Sequence, residues 1–149
     1  MADVYRYRWG PLADRWIKKT GTVAVQQGDF MKYTSSGKIT PATVSTDSTS
    51  LVGIAMSKSP TTDLTATNVR VALIGHGTVF EVIVASTTYS WGDGFVISAA
   101  QTVAEHTLTN LNSTATNVVA ICAQDLDSAG TALLVEFLPG RFQVTIESS

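Results

Sequence analysis

From Leu51 to Val84 the chain repeats one pattern. Leu51-Val52-Gly53-Ile54-Ala55-Met56, Val69-Arg70-Val71-Ala72-Leu73-Ile74 and Thr78-Val79-Phe80-Glu81-Val82-Ile83-Val84 are apolar, largely β-branched runs, separated by a polar loop and by Gly75-His76-Gly77. Runs of this length between turn residues predict consecutive strands of a small antiparallel sheet. Gly75 and Gly77 bracket the tightest connection, where a positive φ favours glycine.

A fainter copy follows. Asn117 to Ala123, Thr131 to Leu138, the turn Pro139-Gly140-Arg141 and Phe142-Gln143-Val144-Thr145-Ile146 repeat the order of runs and turns. Ahead of each copy stands a glycine–aspartate turn, Gln27-Gly28-Asp29-Phe30 and Trp91-Gly92-Asp93-Gly94-Phe95. The two turns lie sixty-four residues apart, and Gly77 and Gly140 lie sixty-three apart. Two turns at nearly one offset predict an internal duplication of a strand-rich unit.

Elsewhere the pattern predicts a first strand at Val23 and Val25, a turn at 26–29 and a strand at Phe30 to Tyr33. A hairpin follows at 34–38, then a strand at Ile39 to Ala42 that Pro41 confines to an edge or end. Thr43 to Ser50 and Ser57 to Asn68 read as solvated loops, and Ala99 to His106 is ambiguous, with Ala, Gln and Glu favouring a helical turn. Residues 1–20 fit neither period. They are expected to form an extended arm ahead of a β-rich domain spanning residues 21–149. The fold class predicted is all-β: a compact, sandwich- or barrel-like (β-tulip-like) body with an internal half-repeat.

Composition sharpens this picture at the arm. The chain has 149 residues and a formal net charge of −2, which calls for neither nucleic acid nor an anionic membrane. Yet residues 1–19 hold Arg6, Arg8, Arg15, Lys18 and Lys19 against Asp3 and Asp14, together with Tyr5, Tyr7, Trp9 and Trp16. Tyr5-Arg6-Tyr7-Arg8-Trp9 alternates aromatic and guanidinium groups, and Arg15-Trp16 repeats the pairing. Tyr, Trp and Arg dominate interface hot spots, so these seven residues are the candidate binding residues, toward a partner protein. Folding back onto the body and stacking on single-stranded nucleic acid are the competing readings. The expected absence of a signal peptide or membrane span rests on the lack of any long apolar run.

Catalytic chemistry finds little purchase. The only cysteine, Cys122, sits between Ile121 and Ala123 and reads as a buried structural thiol. His76 and His106 lack a partner at ligand spacing, so neither a metal nor a cofactor is expected. Asp29 and Asp93 in matching turns read as carboxylates bonding their own backbone, and Lys32 as an ordinary outward side chain. No nucleophile elbow or phosphate-cradling loop is present, so no enzymatic activity is expected.

The order Gly28-Asp29-Phe30, Val52-Gly53-Ile54-Ala55, a Ser/Thr loop, Val69 to Leu73, Gly77-Thr78-Val79-Phe80, Trp91-Gly92-Asp93, Val119 to Ala123 and Leu134 to Phe137 resembles the capsid decoration (cement) proteins of tailed bacteriophages. Ile39 to Val84 is also similar to the head-decoration protein of phage lambda. The resemblance implies a virion protein made in the host cytoplasm, often homotrimeric. It would sit on the outer surface of an icosahedral capsid, bind the major capsid protein and cement neighbouring subunits, without catalysis. Terminal arms commonly hold the capsid in that family, and residues 1–19 are the candidate here. The alternative is a fibre or spike β-sandwich binding carbohydrate or a receptor, with Tyr89 and Trp91 as an aromatic platform.

Overall fold

The computed structural model describes residues 7–10, 12–21, 23–59, 68–74, 77–106 and 118–137. Their eleven strands are β1 (Tyr7–Trp9), β2 (Ala13–Lys18), β3 (Phe30–Tyr33), β4 (Ile39–Pro41), β5 (Leu51–Ala55), β6 (Asn68–Leu73), β7 (Val79–Tyr89), β8 (Gly94–Ala99), β9 (Thr102–Glu105), β10 (Ala120–Cys122) and β11 (Leu126–Phe137). They form two sheets, ordered β2-β6-β5-β3-β4 and β1-β7-β11-β10-β8-β9. The body is all-β.

Each sheet curls back on itself. In the second, a parallel contact of Ile83 with Thr102 joins β7 to β9 and closes a five-stranded barrel, with β1 added outside it. In the first, Lys19 bridges in parallel to Ile39, and the Thr20 N–H donates to the Ile39 carbonyl at 2.9 Å. The strand order is the same in both, with β2, β3, β4, β5 and β6 matching β7, β8, β9, β10 and β11. Register matches too. Met31 pairs with Pro41 and Tyr33 with Ile39, while Phe95 pairs with Glu105 and Ile97 with Val103, each sixty-four residues on. The duplication expected from the glycine–aspartate turns is present as two barrels of one topology.

Those turns are near copies. Asp29 Oδ2 accepts from the Gln26 N–H at 2.9 Å and Asp93 Oδ2 from the Ser90 N–H at 2.8 Å. Gly28 and Gly92 supply φ of 99° and 89°. The Gly28 N–H donates to Ala55 O and the Ala55 N–H to Asp29 O. Gly92, Cys122 and Asp93 repeat this exchange. Both aspartates therefore bond their own backbone, as turn acids do.

Alternation along the strands sorts the core into two clusters. Met31, Ile39, Val52, Ala55, Val69 and Val71 fill the first barrel with Val25. Phe80, Val82, Val84, Phe95, Ile97, Leu133, Val135 and Phe137 belong to the larger cluster, which Phe30, Leu51, Ile54 and Ala72 of the first barrel also join. β5 is buried at all five positions because one face lines its own barrel and the other meets its twin. That is why it reads as an unbroken apolar run. A chain of edge-on rings crosses the junction: Phe30 to Phe137 at 5.7 Å, Phe137 to Phe80 at 5.9 Å and Phe80 to Tyr7 at 5.9 Å.

Several expectations give way. The described part of residues 1–20 is not a free arm: β1 pairs with β7 and β2 with β6 along six consecutive positions. Of the first strand expected at Val23 and Val25, only a bridge from Val25 to Ser59 forms. Ala99 to His106 completes β8 and forms β9, because pairing with β8 outweighs weak helical propensity. β5 and β6 pair antiparallel, but β7 leaves them for the other barrel, so the three runs do not share one sheet. Pro41 does end an edge strand. The repeat segment 142–146 lies outside the described residues.

Within the expected loop 43–50, Ser45–Ser50 forms a 3-10 turn around a buried carboxylate. Asp47 pairs with the Lys32 ammonium and accepts from the N–H groups of Thr43 (2.9 Å) and Val44 (3.3 Å). Burial opposes its ionisation, but the lysine and the two amides outweigh burial and hold its carboxyl below the usual range. The stabilisation is thus present above the unfolded value of 3.8 and lost as pH falls through the lower folded value. Asp47→Asn is expected to cost about 1–3 kcal/mol near neutral pH. It should cost less below pH 3.8, and progressively less as pH falls further, as urea unfolding at neutral and acid pH will show.

Candidate interaction surface

Strand alternation decides what residues 7–19 offer. On β1, Tyr7 turns inward: its ring packs on Phe80 and its hydroxyl donates to the Gly10 carbonyl. Arg8 turns outward and pairs with Glu81 at 2.8 Å. The aromatic–arginine alternation of this stretch is therefore the in–out period of an edge strand. The Trp9 backbone completes β1. Tyr5 and Arg6 lie outside the described residues.

At Gly10 the chain crosses from one barrel to the other. Gly10 has φ +98°, and a Cβ there would stand 1.9 Å from the Gly77 carbonyl oxygen. Only glycine fits both the left-handed conformation and the close approach. β1 and β2 consequently strap the two barrels side by side, one strand on each.

On β2, Arg15 and Trp16 fall on opposite faces. Arg15 is opposite Val71, on the face whose neighbours Val69 and Val71 line the first barrel, and is itself exposed. Trp16 is opposite Arg70 on the outer face and is 63% exposed. Arg70 in turn binds Asp14 at 2.5 Å, and that guanidinium keeps the Asp14 carboxyl below its ordinary range. Lys18, also exposed, shares the outer face. Trp16 is thus a large flat apolar group framed by Asp14, Lys18 and Arg70, the make-up of an anchor in a protein interface.

The arm carries less exposed positive charge than its sequence suggests. Lys19 is buried inside the first barrel, 1% exposed, where its Nζ donates to the carbonyls of Val23 (3.0 Å) and Ser59 (3.4 Å). Sixty-five residues on, one more than the repeat offset, its counterpart is the buried wall residue Val84. No sequence signal marks it beyond the single apolar neighbour Ile17, two positions away.

The aromatic platform expected of Tyr89 and Trp91 is not formed. Tyr89 is buried on Phe95 at 5.4 Å and donates to the Ala85 carbonyl; it lies off the alternation of Phe80, Val82 and Val84, beyond register shifts in the pairing of β7 with β11. Trp91 alone is exposed, at 67%, on the turn pinned by Asp125. Cys122 is fully buried, its thiol donating to the Gln124 carbonyl at 2.8 Å, and burial raises its pKa. His76 lies outside the described residues, and His106 is half-buried. Lys32 is engaged with Asp47. Among the described residues, no group of three or more His, Cys, Asp or Glu is placed to hold a metal ion, and no helix is long and apolar enough to cross a membrane.

No protein-family profile matches the sequence, and no curated protein matches it either. Among solved structures the chain is similar to the head fiber gp8.5 N base of bacteriophage phi29. The TM-score is 0.51 at 11% identity, and the match covers 90% of this chain and 98% of that one. At that identity the likeness is one of fold.

Proposed function

We propose that the protein is a structural component of a bacteriophage head, attached to the outer surface of the shell through contacts with the major capsid protein. The observation that carries this is the shared fold. It runs through nearly the whole of both chains, and the other chain belongs to a phage head fiber. The resemblance of its sequence, in the order of Gly28-Asp29-Phe30, Val52-Gly53-Ile54-Ala55 and the stretches after them, to phage decoration proteins points the same way. In this reading the chain cements neighbouring capsid subunits as a homotrimer, whose several weak contacts add as avidity. The role asks for a stiff body and a binding face, not for a reaction.

The likeness to a fiber base favours a second reading of the same site, in which the barrels anchor a projecting structure to the head and do not cement it. The two differ in one consequence. On the first reading heads lacking the protein should lose mechanical or thermal stability; on the second they should not.

Trp16 is the residue expected to carry the contact. In co-sedimentation with heads lacking the protein, the parent chain should saturate at a fixed ratio to the major capsid protein. Trp16→Ala should weaken binding roughly 30-fold, the effect of losing a hot spot of about 2 kcal/mol, while leaving the melting temperature unchanged. No pelleting of the parent chain would refute the head-surface role. Equal binding by Trp16→Ala would move the contact away from β2.

A further inference from the structure

A polar contact between the two barrels runs in one direction. The turn at 26–30 of the first sits on the β8–β9 hairpin of the second. The Phe30 N–H donates to the Ala100 carbonyl at 2.7 Å, and Gln101 Nε2 donates to Asp29 Oδ1 at 2.8 Å and to the Gln27 carbonyl at 3.3 Å. Gln101 is buried there. The repeat offset of sixty-four residues relates Gln27 to Trp91, Asp29 to Asp93, Ala100 to Ser36 and Gln101 to Gly37. The reverse contact would set the turn at 90–94 on the hairpin at 34–38. Within the chain it is not made: Trp91 is exposed, and nothing stands within 4 Å of where a Cβ of residue 37 would point. A contact made one way only leaves each molecule one turn and one hairpin to offer.

These two halves match in size and in charge. In the contact already made the bulk belongs to the hairpin, as Gln101. In the reverse one it belongs to the turn, as Trp91, and the hairpin answers with Gly37. The Trp91 turn is held in shape: the Trp91 N–H donates to Asp125 Oδ1 and the Ser90 N–H to Asp93 Oδ2, both at 2.8 Å, and the Gly92 N–H to the Cys122 carbonyl at 3.2 Å. An aromatic on a pre-ordered turn gives up little freedom on docking. The hairpin is closed as well, by the Thr34 N–H on the Lys38 carbonyl at 2.7 Å. Residues 77–137 hold six acidic residues and neither lysine nor arginine, whereas residues 12–74 hold seven cations against four acids. Asp93 lies in the Trp91 turn, Asp125 is bonded to it, and Glu105 pairs with Phe95 just beyond it. Lys38, next to Gly37, is exposed. An acidic rim around a flat apolar group thus has a basic, slim counterpart on the same molecule.

We infer that the turn at 90–94 of one molecule docks on the hairpin at 34–38 of a second, with Trp91 over Gly37 and Lys38 against Asp93 and Asp125. The Gly94 N–H and the Ser36 carbonyl then stand where Phe30 and Ala100 stand in the contact within the chain. A second copy is the occupant because the hairpin already bound by the twin of this turn is itself the twin of 34–38, and because the two halves carry opposite charge. Trp91 is the anchor of the contact and the carboxylates are its rim. Such a heterologous contact closes into a ring, a trimer included, or extends as a filament, according to the rotation between copies. The inference does not depend on the phage-head reading.

The test is sedimentation velocity of the purified full chain across a range of concentrations, as parent and as two variants. The parent should associate, and less so as salt is raised. Trp91→Ala should associate roughly 30-fold more weakly, as for the loss of one hot-spot residue. Lys38→Glu should do so by at least about tenfold, because it sets like charges together. Both positions are exposed, so the melting temperatures should not change. Because the contact has two different halves, an equimolar mixture of the two variants should form dimers and nothing larger. The intact turn of Lys38→Glu meets the intact hairpin of Trp91→Ala, and no other pairing remains. Trp91→Gln, with the residue that the first barrel has at this place, takes over if Trp91→Ala fails to fold. A parent that stays monomeric, a variant that associates like the parent, or a mixture no more associated than its components would each overturn the proposal.

Discussion

Phe137→Ala should lower the free energy of unfolding by about 3–5 kcal/mol, the largest loss expected of any single truncation here. Phe137 is fully buried at the last position of β11, and its ring meets Phe80 inside its own barrel and Phe30 on the outer face of the other. Removing it leaves a void where the two barrels join, and side chains from both sheets line that void. The same substitution at Met31, within the first barrel alone, should cost less, about 2–4 kcal/mol, because fewer elements border the gap. The ring geometry adds a signature that simple burial would not. Phe30→Ala and Phe137→Ala combined should fall short of additivity by about 0.5–1.5 kcal/mol, the coupling of an edge-to-face pair. Urea unfolding of the four chains of this cycle gives the value. Strict additivity would mean the barrels are energetically independent.

The second large effect is expected at Gly10, where the strap crosses between barrels. Gly10→Ala meets two penalties together: a left-handed backbone costing roughly 1–2 kcal/mol, and a Cβ driven against the Gly77 carbonyl. Because that carbonyl is backbone, relief requires β1 or the start of β7 to shift, and the total should exceed about 2 kcal/mol. Gly37→Ala is the internal comparison. Gly37 has φ +76° with nothing within 4 Å of where the alanine methyl would stand, so only the conformational part applies, roughly 1 kcal/mol. Hydrogen exchange should localise the difference. In Gly10→Ala the amides of β1 and β2 should exchange roughly thirty-fold faster, matching a loss of about 2 kcal/mol in local opening, while β10 and β11 keep their protection. Uniform acceleration throughout would instead mean that the strap unfolds only with the whole domain.

Both effects bear on what the sequence reveals. β5, β6 and β7 are legible because each has a buried face and sharp turn residues, and Gly28-Asp29 with Gly92-Asp93 expose the duplication because that turn demands both residue types. Ring closure is not legible: it rests on single parallel contacts, Lys19 with Ile39 and Ile83 with Thr102, between residues far apart in sequence. The Tyr-Arg alternation of the N-terminal stretch carries two meanings, hot spot or edge strand, and composition cannot separate them. In the structure Tyr7 is inward packing and Arg8 a surface ion pair, leaving Trp16 as the exposed aromatic of the described stretch with a charged frame. Lys19 looks like one more arm cation until β2 is known to be a barrel wall. Asp47 is hidden in a Ser/Thr run because its partners, Lys32 and two amides, become visible only once β3 lies beside the 3-10 turn. Ala99 to His106 misleads because its small residues favour a helix locally, while β8 provides a ladder to pair with.

The most direct test of the proposed role is electron cryomicroscopy of phage heads prepared with the protein and without it. That role predicts difference density on the outside of the shell at a regular lattice position, shaped as two adjoining barrels, with the Trp16 face of β2 against the major capsid protein. Identical shells in the two reconstructions, with no density gained on the outer surface, would contradict it.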